Sequence, residues 1–194
     1  MHEKLRCSWS YTGNNPLYIE YHDREWGVPL HDDNHLFEML VLEGAQAGLS
    51  WLTVLKKRDS FRKAFANFDP EAVSLFGESH INELMNNPKI IRNERKIKSA
   101  ITNAVKFIEV QDEFGTFDNF VWSLVQGEPV VNHWKSIKEI PSRTELSDVL
   151  SRDLLKRGFS FVGSTICYAY MQSTGLVNDH LEECFRFQEL MDLK

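Results

Sequence analysis

Helix-start signals punctuate this chain and leave little room for a sheet. Asn15-Pro16 and Asp69-Pro70 each put a capping side chain before a proline at the first helical position, where no backbone N–H is needed. Ser50, Thr116 and Thr144 precede apolar runs in the same way, and a helix begins after Asp32-Asp33. Between Ile90 and Ile108, the residues Ile97, Ile101, Ala104, Val105 and Ile108 recur at helical spacing, whereas strand-like alternation is scarce. The pattern predicts an all-α fold. The helix opened by Pro16 brings Tyr18, Tyr21, His22 and Trp26 near one face. A further helix runs from Thr144 to a stop at Gly158, and another from Gly163 to Gly175; the stretch from Gly127 to Arg143 reads as a loop. With 194 residues and neither repeat nor linker, the expectation is a single domain over 1–194 with a sizeable core.

The chain carries no run of about 18 apolar residues, and its first residues lack the apolar stretch of a signal peptide. No membrane association and a cytoplasmic location are therefore expected. Three cysteines, Cys7, Cys167 and Cys184, argue against a disulfide framework. A net charge of −6 disfavours binding to nucleic acid by bulk charge, but leaves room for a local basic face. Lys56-Lys57-Arg58, the group Lys89, Arg92, Arg95, Lys96 and Lys98, and Lys156-Arg157 each read most simply as solvated helix faces.

One residue breaks the apolar pattern. Glu43 sits inside LVLEGAQAGLSWLTVL, and a carboxylate is costly to bury unless it is paired or neutral. Trp9, Tyr11, Tyr18, Tyr21, Trp26 and Trp51 crowd the same end of the chain. Aromatics build cores by default; beside an embedded glutamate they also describe a pocket for a flat, electron-poor ring. The alternative places Glu43 half-exposed at a helix end near Lys56 or Lys57.

His180 and Cys184 are four apart, one turn on a helix, a spacing that suits zinc if Cys7 and His22 complete a closed set. The pair alone is better explained by a chance histidine and a core cysteine. Cys167 reads as a core residue, Asp179 as a helix cap before His180, and His2, His31, His35, His80 and His133 as surface residues. From Gly158 to Thr165, GFSFVGST joins two helices by a tight glycine-flanked turn. Gly158 and Gly163 would let a partner's backbone approach, and the N–H groups at Ser164 and Thr165 favour an anion such as a phosphate. An ordinary turn between packed helices fits the same residues.

Taken together, PLYIEYHDREWGVP (16–29), LFEMLVLEGAQAGLSWLTVLKKR (36–58), IIRNERKI (90–97) and LLKRGFSFVGSTICYAYMQSTGLVNDH (154–180) resemble the type I 3-methyladenine DNA glycosylases over nearly the whole chain. The resemblance implies a helix-hairpin-helix glycosylase fold. It implies hydrolytic release of 3-methyladenine from alkylated double-stranded DNA in base-excision repair. It also implies a structural zinc on Cys7, His22, His180 and Cys184, tying residues 1–30 to 176–194. On the family's pattern Glu43 and Tyr21 are the catalytic positions, and Trp51, Tyr18, Trp9 and Trp26 hold the base. Gln46, Gly48 and Leu49 enter the duplex, with Leu49 as an apolar wedge, and Gly158, Gly163, Ser164 and Thr165 grip the backbone.

One departure from the wider superfamily stands out. Where many members carry a catalytic aspartate in a stretch like V-D-T-H, this chain reads Val177-Asn178-Asp179-His180. A general base copied from the superfamily is thus in doubt. No lysine nucleophile is expected, hence no strand cleavage, and a monomer is the default. A damage-binding module without turnover and a zinc-stabilised protein-binding scaffold are the competing readings.

Overall fold

The computed structural model describes residues 4–192; His2, expected at the surface, lies outside them. Its helices are α1 (Pro16–Arg24), α2 (Asp33–Gln46), α3 (Trp51–Leu55), α4 (Arg58–Ala64), α5 (Pro70–Ser74), α6 (Glu78–Asn86), α7 (Glu94–Phe114), α8 (Phe117–Ser123), α9 (Glu145–Lys156), α10 (Ser164–Ser173) and α11 (Phe185–Met191). A 3-10 turn, Ser8–Asn14, precedes α1. The fold is mostly helical, as the sequence predicts.

The caps act locally as read. Asn15 Oδ1 accepts from Leu17 N, Asp32 from His35 N, Ser50 from Thr53 N, Asp69 from Glu71 and Ala72 N, Thr116 from Asn119 N and Thr144 from Ser147 N. Each satisfies an amide that the first turn leaves free.

α2 is the axis of the molecule. Ten of its fourteen residues, Leu36 to Ala45, are buried, so it is apolar nearly all round and packs against α3, α7, α8 and α10. α7 covers one flank. Its buried stripe runs through Ile97, Ala100, Asn103, Ala104, Phe107 and Val110, not through Val105, which is exposed. The stripe follows the side that α2 and α5 cover, which periodicity alone leaves free to rotate by a residue. Ile90 precedes α7 in a turn yet is buried.

The 127–143 segment is not wholly loop. Val130–Val131 (β1) pairs in parallel with Val177–Asn178 (β2). These two-residue strands have no alternation to read. They clamp the loop to the segment after α10. Gly175 enables that clamp: its φ is +72°, and a Cβ there would overlap the backbone of Val28 and Pro29.

Candidate active site

α1, the 3-10 turn, α2, α3 and α10 together wall a cavity of about 270 Å³. Trp9, Tyr18, Tyr21, Trp26 and Trp51 line it, with Glu43 and Gln46 from α2 and Ala169 and Gln172 from α10. The four aromatics that the resemblance assigns to the base are brought together with Tyr21. Tyr11 is not among the lining residues; it is exposed. The rings tilt against one another instead of filling the space. Trp9 to Tyr18 is 5.1 Å at 59°, Trp9 to Trp26 is 4.9 Å at 75°, and Tyr21 to Trp51 is 5.4 Å at 50°.

Glu43 is 4% exposed, which overturns its placement at a half-exposed helix end. Burial pushes its carboxyl up to about 8, and the Ser173 hydroxyl pulls it back only in part. Near neutral pH this burial favours the neutral acid. Burial, then Glu43, raises the Tyr21 and Tyr18 phenols, so both stay protonated donors. The Trp51 indole Nε1 is buried with no partner among the described residues, an unusual vacancy for a donor.

A second cavity of about 200 Å³ adjoins the first and shares Glu43, Gln46 and Ala169 with it. Ala47, Gly48, Leu49 and Thr165 border it. Gly48 has φ +78° and turns the chain so that Leu49 stands out, 42% exposed. Lys96, read as part of a solvated basic face, is spent internally: its Nζ donates to Ala45 O (2.8 Å) and Ala47 O (2.7 Å) at the end of α2. Arg58 departs from the same reading. It is buried, paired with Glu25 and Glu38, and within 2.9 Å of His35 Nε2, so His35 is half-buried rather than superficial.

The turn between α9 and α10 runs as expected. Gly158 has φ +92° and stops α9, and Gly163 caps α10 in open space, where a Cβ would meet nothing. Ser164 and Thr165 open α10. Ser160 N and O are held by Asn103, and Ser151 Oγ donates to Val162 O, which fixes the turn.

Cys7, His22, His180 and Cys184 are buried, and their ligand atoms all lie within 4.8 Å of one another. Cys7 Sγ to His180 Nδ1 is 3.6 Å, Cys184 Sγ to His180 Nδ1 is 3.4 Å and Cys184 Sγ to His22 Nε2 is 3.5 Å. His180 and Cys184 are not on a helix, as their spacing suggested. They flank a turn before α11. The other ring nitrogens are anchored: His22 Nδ1 to Asp23 (2.8 Å) and His180 Nε2 to the Trp26 carbonyl (3.0 Å). The Cys7 thiol, and after it the two imidazoles, lower the pKa of Cys184 despite its burial. The cluster abuts the pocket wall: Trp9 lies 5.2 Å from His22 and Trp26 4.6 Å from His180, ring to ring.

Asp179 is no helix cap. It is 1% exposed and accepts from Asn132 Nδ2, Trp134 Nε1, the Tyr168 hydroxyl and Gln172 Nε2. Asn178, which the resemblance set against an aspartate of other glycosylases, is buried; its Nδ2 donates to Phe187 O and its Oδ1 accepts from His180 N. It does not line the aromatic cavity. Sequence reading missed Gln172 and Ala169, although positions 165, 169 and 172 share one face of a helix.

A helical frame around a buried acid in an aromatic cage defines a site built to take a flat ring. The family model for methyladenine glycosylase matches residues 9–187. The chain belongs to the methyladenine glycosylase family, enzymes of DNA base-excision repair. It is 49% identical to DNA-3-methyladenine glycosylase 1 of Escherichia coli K12 over 92% of this chain and 95% of that protein. It superposes on the crystal structure of a 3-methyladenine DNA glycosylase I with a TM-score of 0.90, at 49% identity, covering 93% of this chain and 98% of that one. A variant of a 3-methyladenine DNA glycosylase I, solved in complex with 3-methyladenine, aligns at TM-score 0.88 and 33% identity, covering 91% and 95%.

Proposed function

We propose that this chain flips 3-methyladenine out of alkylated duplex DNA into the aromatic cavity and hydrolyses its bond to deoxyribose, without cutting the strand. The observation that carries the reading is Glu43, buried in an aromatic cage with a pKa near 8. Such a group is neutral in the empty pocket and becomes a carboxylate where a cation displaces water. Methylation at a ring nitrogen makes the base cationic, so the glycosidic bond is weak before the enzyme acts. Water adds its oxygen to C1′ as the C1′–N bond breaks. The bonding pair leaves with the base and neutralises it, and the water's spare proton goes to solvent.

The chain's residues select and orient. Trp51 and Tyr21 stack on the ring, with Trp9, Tyr18 and Trp26 closing the cage, and cation–π attraction favours the charged base. Glu43 offsets the ring's charge and reads its edge. This contact weakens as the bond breaks, so Glu43 contributes more to recognition than to lowering the barrier. A base inside a duplex is out of reach, so Leu49, with Gln46 and Gly48, fills the gap left by the flipped nucleotide. The open backbone at Gly163 and the amides of Ser164 and Thr165 hold the phosphates, with Gly158 setting the turn. Among the described residues that line the cavity there is no lysine, and hydrolysis by water needs no covalent intermediate.

The four-residue cluster suits zinc. Bond lengths of about 2.3 Å to sulfur and 2.0 Å to nitrogen in a tetrahedron put S and N about 3.5 Å apart, close to the separations here. Cys7, His22, His180 and Cys184 fill all four positions, so the metal supplies structure and no chemistry. The working form is a monomer in the cytoplasm, with alkylated double-stranded DNA as its partner.

Free base released from methylated duplex DNA tests the reading, with wild type and Glu43→Gln compared at equal metal content. Wild type is expected to release 3-methyladenine and the variant to be slowed at least tenfold. Release of no base by a folded wild type that retains DNA would leave only a damage-binding module.

A further inference from the structure

Asp179 is a buried carboxylate that the reaction above does not use, and its four partners show where it acts. A carboxylate only accepts hydrogen bonds. Gln172 Nε2 lies 2.7 Å from Asp179 Oδ2, so the amide must turn its NH2 group to Asp179. That fixes the rotamer of a side chain which otherwise flips freely between donor and acceptor. The other partners hold the carboxylate still: Asn132 Nδ2 and Trp134 Nε1 donate to Oδ1 at 2.7 and 2.8 Å, and Tyr168, one turn before Gln172 on α10, donates to Oδ2. Gln172 lines the aromatic cavity together with Glu43, and it is only half-buried. With its nitrogen committed to Asp179, it has its carbonyl oxygen left to offer a ligand.

We infer that Gln172 is a specificity residue: its Oε1 accepts a hydrogen bond from the exocyclic amine of the flipped base, and Asp179 positions it. The inference rests on the base-binding reading of the cavity. The chemistry follows from the ligand. Once released and neutral, 3-methyladenine carries N–H groups only on its exocyclic amine. A purine with an oxo group there turns an acceptor towards Oε1 and is repelled. Glu43 and Gln172 can then divide the two amine hydrogens between them. Asp179, which the chain keeps beside the superfamily's lost aspartate position, acts on selection through another side chain instead of on water.

The test is binding of free bases to the intact protein, read by tryptophan fluorescence, with metal content and thermal stability matched. Gln172→Met keeps the volume and removes the carbonyl. It is expected to weaken 3-methyladenine about tenfold or more, while affinity for 3-methylhypoxanthine, with oxo in place of the amine, holds or rises. Asp179→Asn should reproduce the selective loss, and the double variant should add nothing further. Unchanged discrimination in Gln172→Met, or an equal loss for both bases, would overturn the assignment to Gln172. Fully additive losses would remove Asp179 from it. If wild type binds neither base, the cavity reading fails, and this inference with it.

Discussion

The molecule holds two groups of aromatic side chains, and they are packed on opposite principles. Around α2 and α7, Phe37, Phe68, Phe107 and Phe117 are entirely buried, with Phe107 and Phe117 stacked at 4.0 Å and 15°. These rings have no polar atoms and fill space against one another. The rings around Glu43 are tryptophan and tyrosine; they tilt, leave a cavity, and enclose a carboxylate whose burial is unfavourable when charged. A cluster of phenylalanines closes by itself because each removed void gains contact. The cage stays open because its walls are fixed from outside. Trp9 and Trp26 abut the Cys-His cluster, and Tyr18 and Tyr21 ride on α1, whose His22 belongs to it. Phe185 N to Leu5 O, at 2.9 Å, adds a second stitch between the chain's two ends. One group is packing alone; the other is the pocket proposed to take the base, braced by the Cys-His cluster.

That contrast can be broken in three ways. Removing the proposed metal with a strong chelator, or making Cys184→Ala, should have the largest effect. Structural zinc is worth on the order of 10 kcal/mol where the apo form lacks its site. Base binding and the tryptophan signal should be lost first, before the helical circular dichroism of the phenylalanine core melts. Simultaneous loss would mean the two groups are one unit. Phe107→Ala comes next, costing about 3–5 kcal/mol through the cavity it leaves. In denaturant titration its midpoint should fall, while affinity for free base at low temperature stays as in wild type. A parallel loss of affinity would show that the core sets the cage.

The smallest effect is the most specific. Glu43 has a folded pKa near 8, raised above the ordinary carboxyl value. Between about pH 4.5 and 8 the folded state therefore binds a proton that the unfolded state has lost, and stability falls as pH rises through that window. The sign is the reverse of an ion-paired carboxylate. Glu43→Gln should stabilise the protein by a few kcal/mol at pH 8 and by under about 1 kcal/mol at pH 5. Melting curves at the two pH values decide it; a gain that does not vary with pH would mean that the Glu43 carboxyl titrates normally.

The physical range of each signal governs how legible it was. Caps such as Asn15, Ser50 and Thr116 were readable because a side chain two or three residues from an amide satisfies it without help. Glu43 stood out because a carboxylate in an apolar run demands an explanation wherever it lands. His180 and Cys184 were paired on the expectation of a helix; they meet in a turn instead, because two short segments clamp that region at Val130–Val131 and Val177–Asn178. Arg58 and Lys96 looked like surface charges. Their partners, Glu38 from α2 and the carbonyls of Ala45 and Ala47, lie 20 and about 50 residues away, beyond any local pattern.

By itself, then, the sequence determined the all-α class, the capped helices with their caps, and the types of residue available for a pocket, since each depends on neighbours within a turn or two of chain; α4, α6 and α11 carried no such signal. The tertiary structure decided which face of α7 was buried, that Asp179 became the hub of four donors rather than a cap, and that Gln172 reached the cavity beside Glu43. Those outcomes depend on which distant surfaces pack together. Burial and hydrogen-bond satisfaction are properties of the packed assembly, and one-dimensional spacing does not encode them.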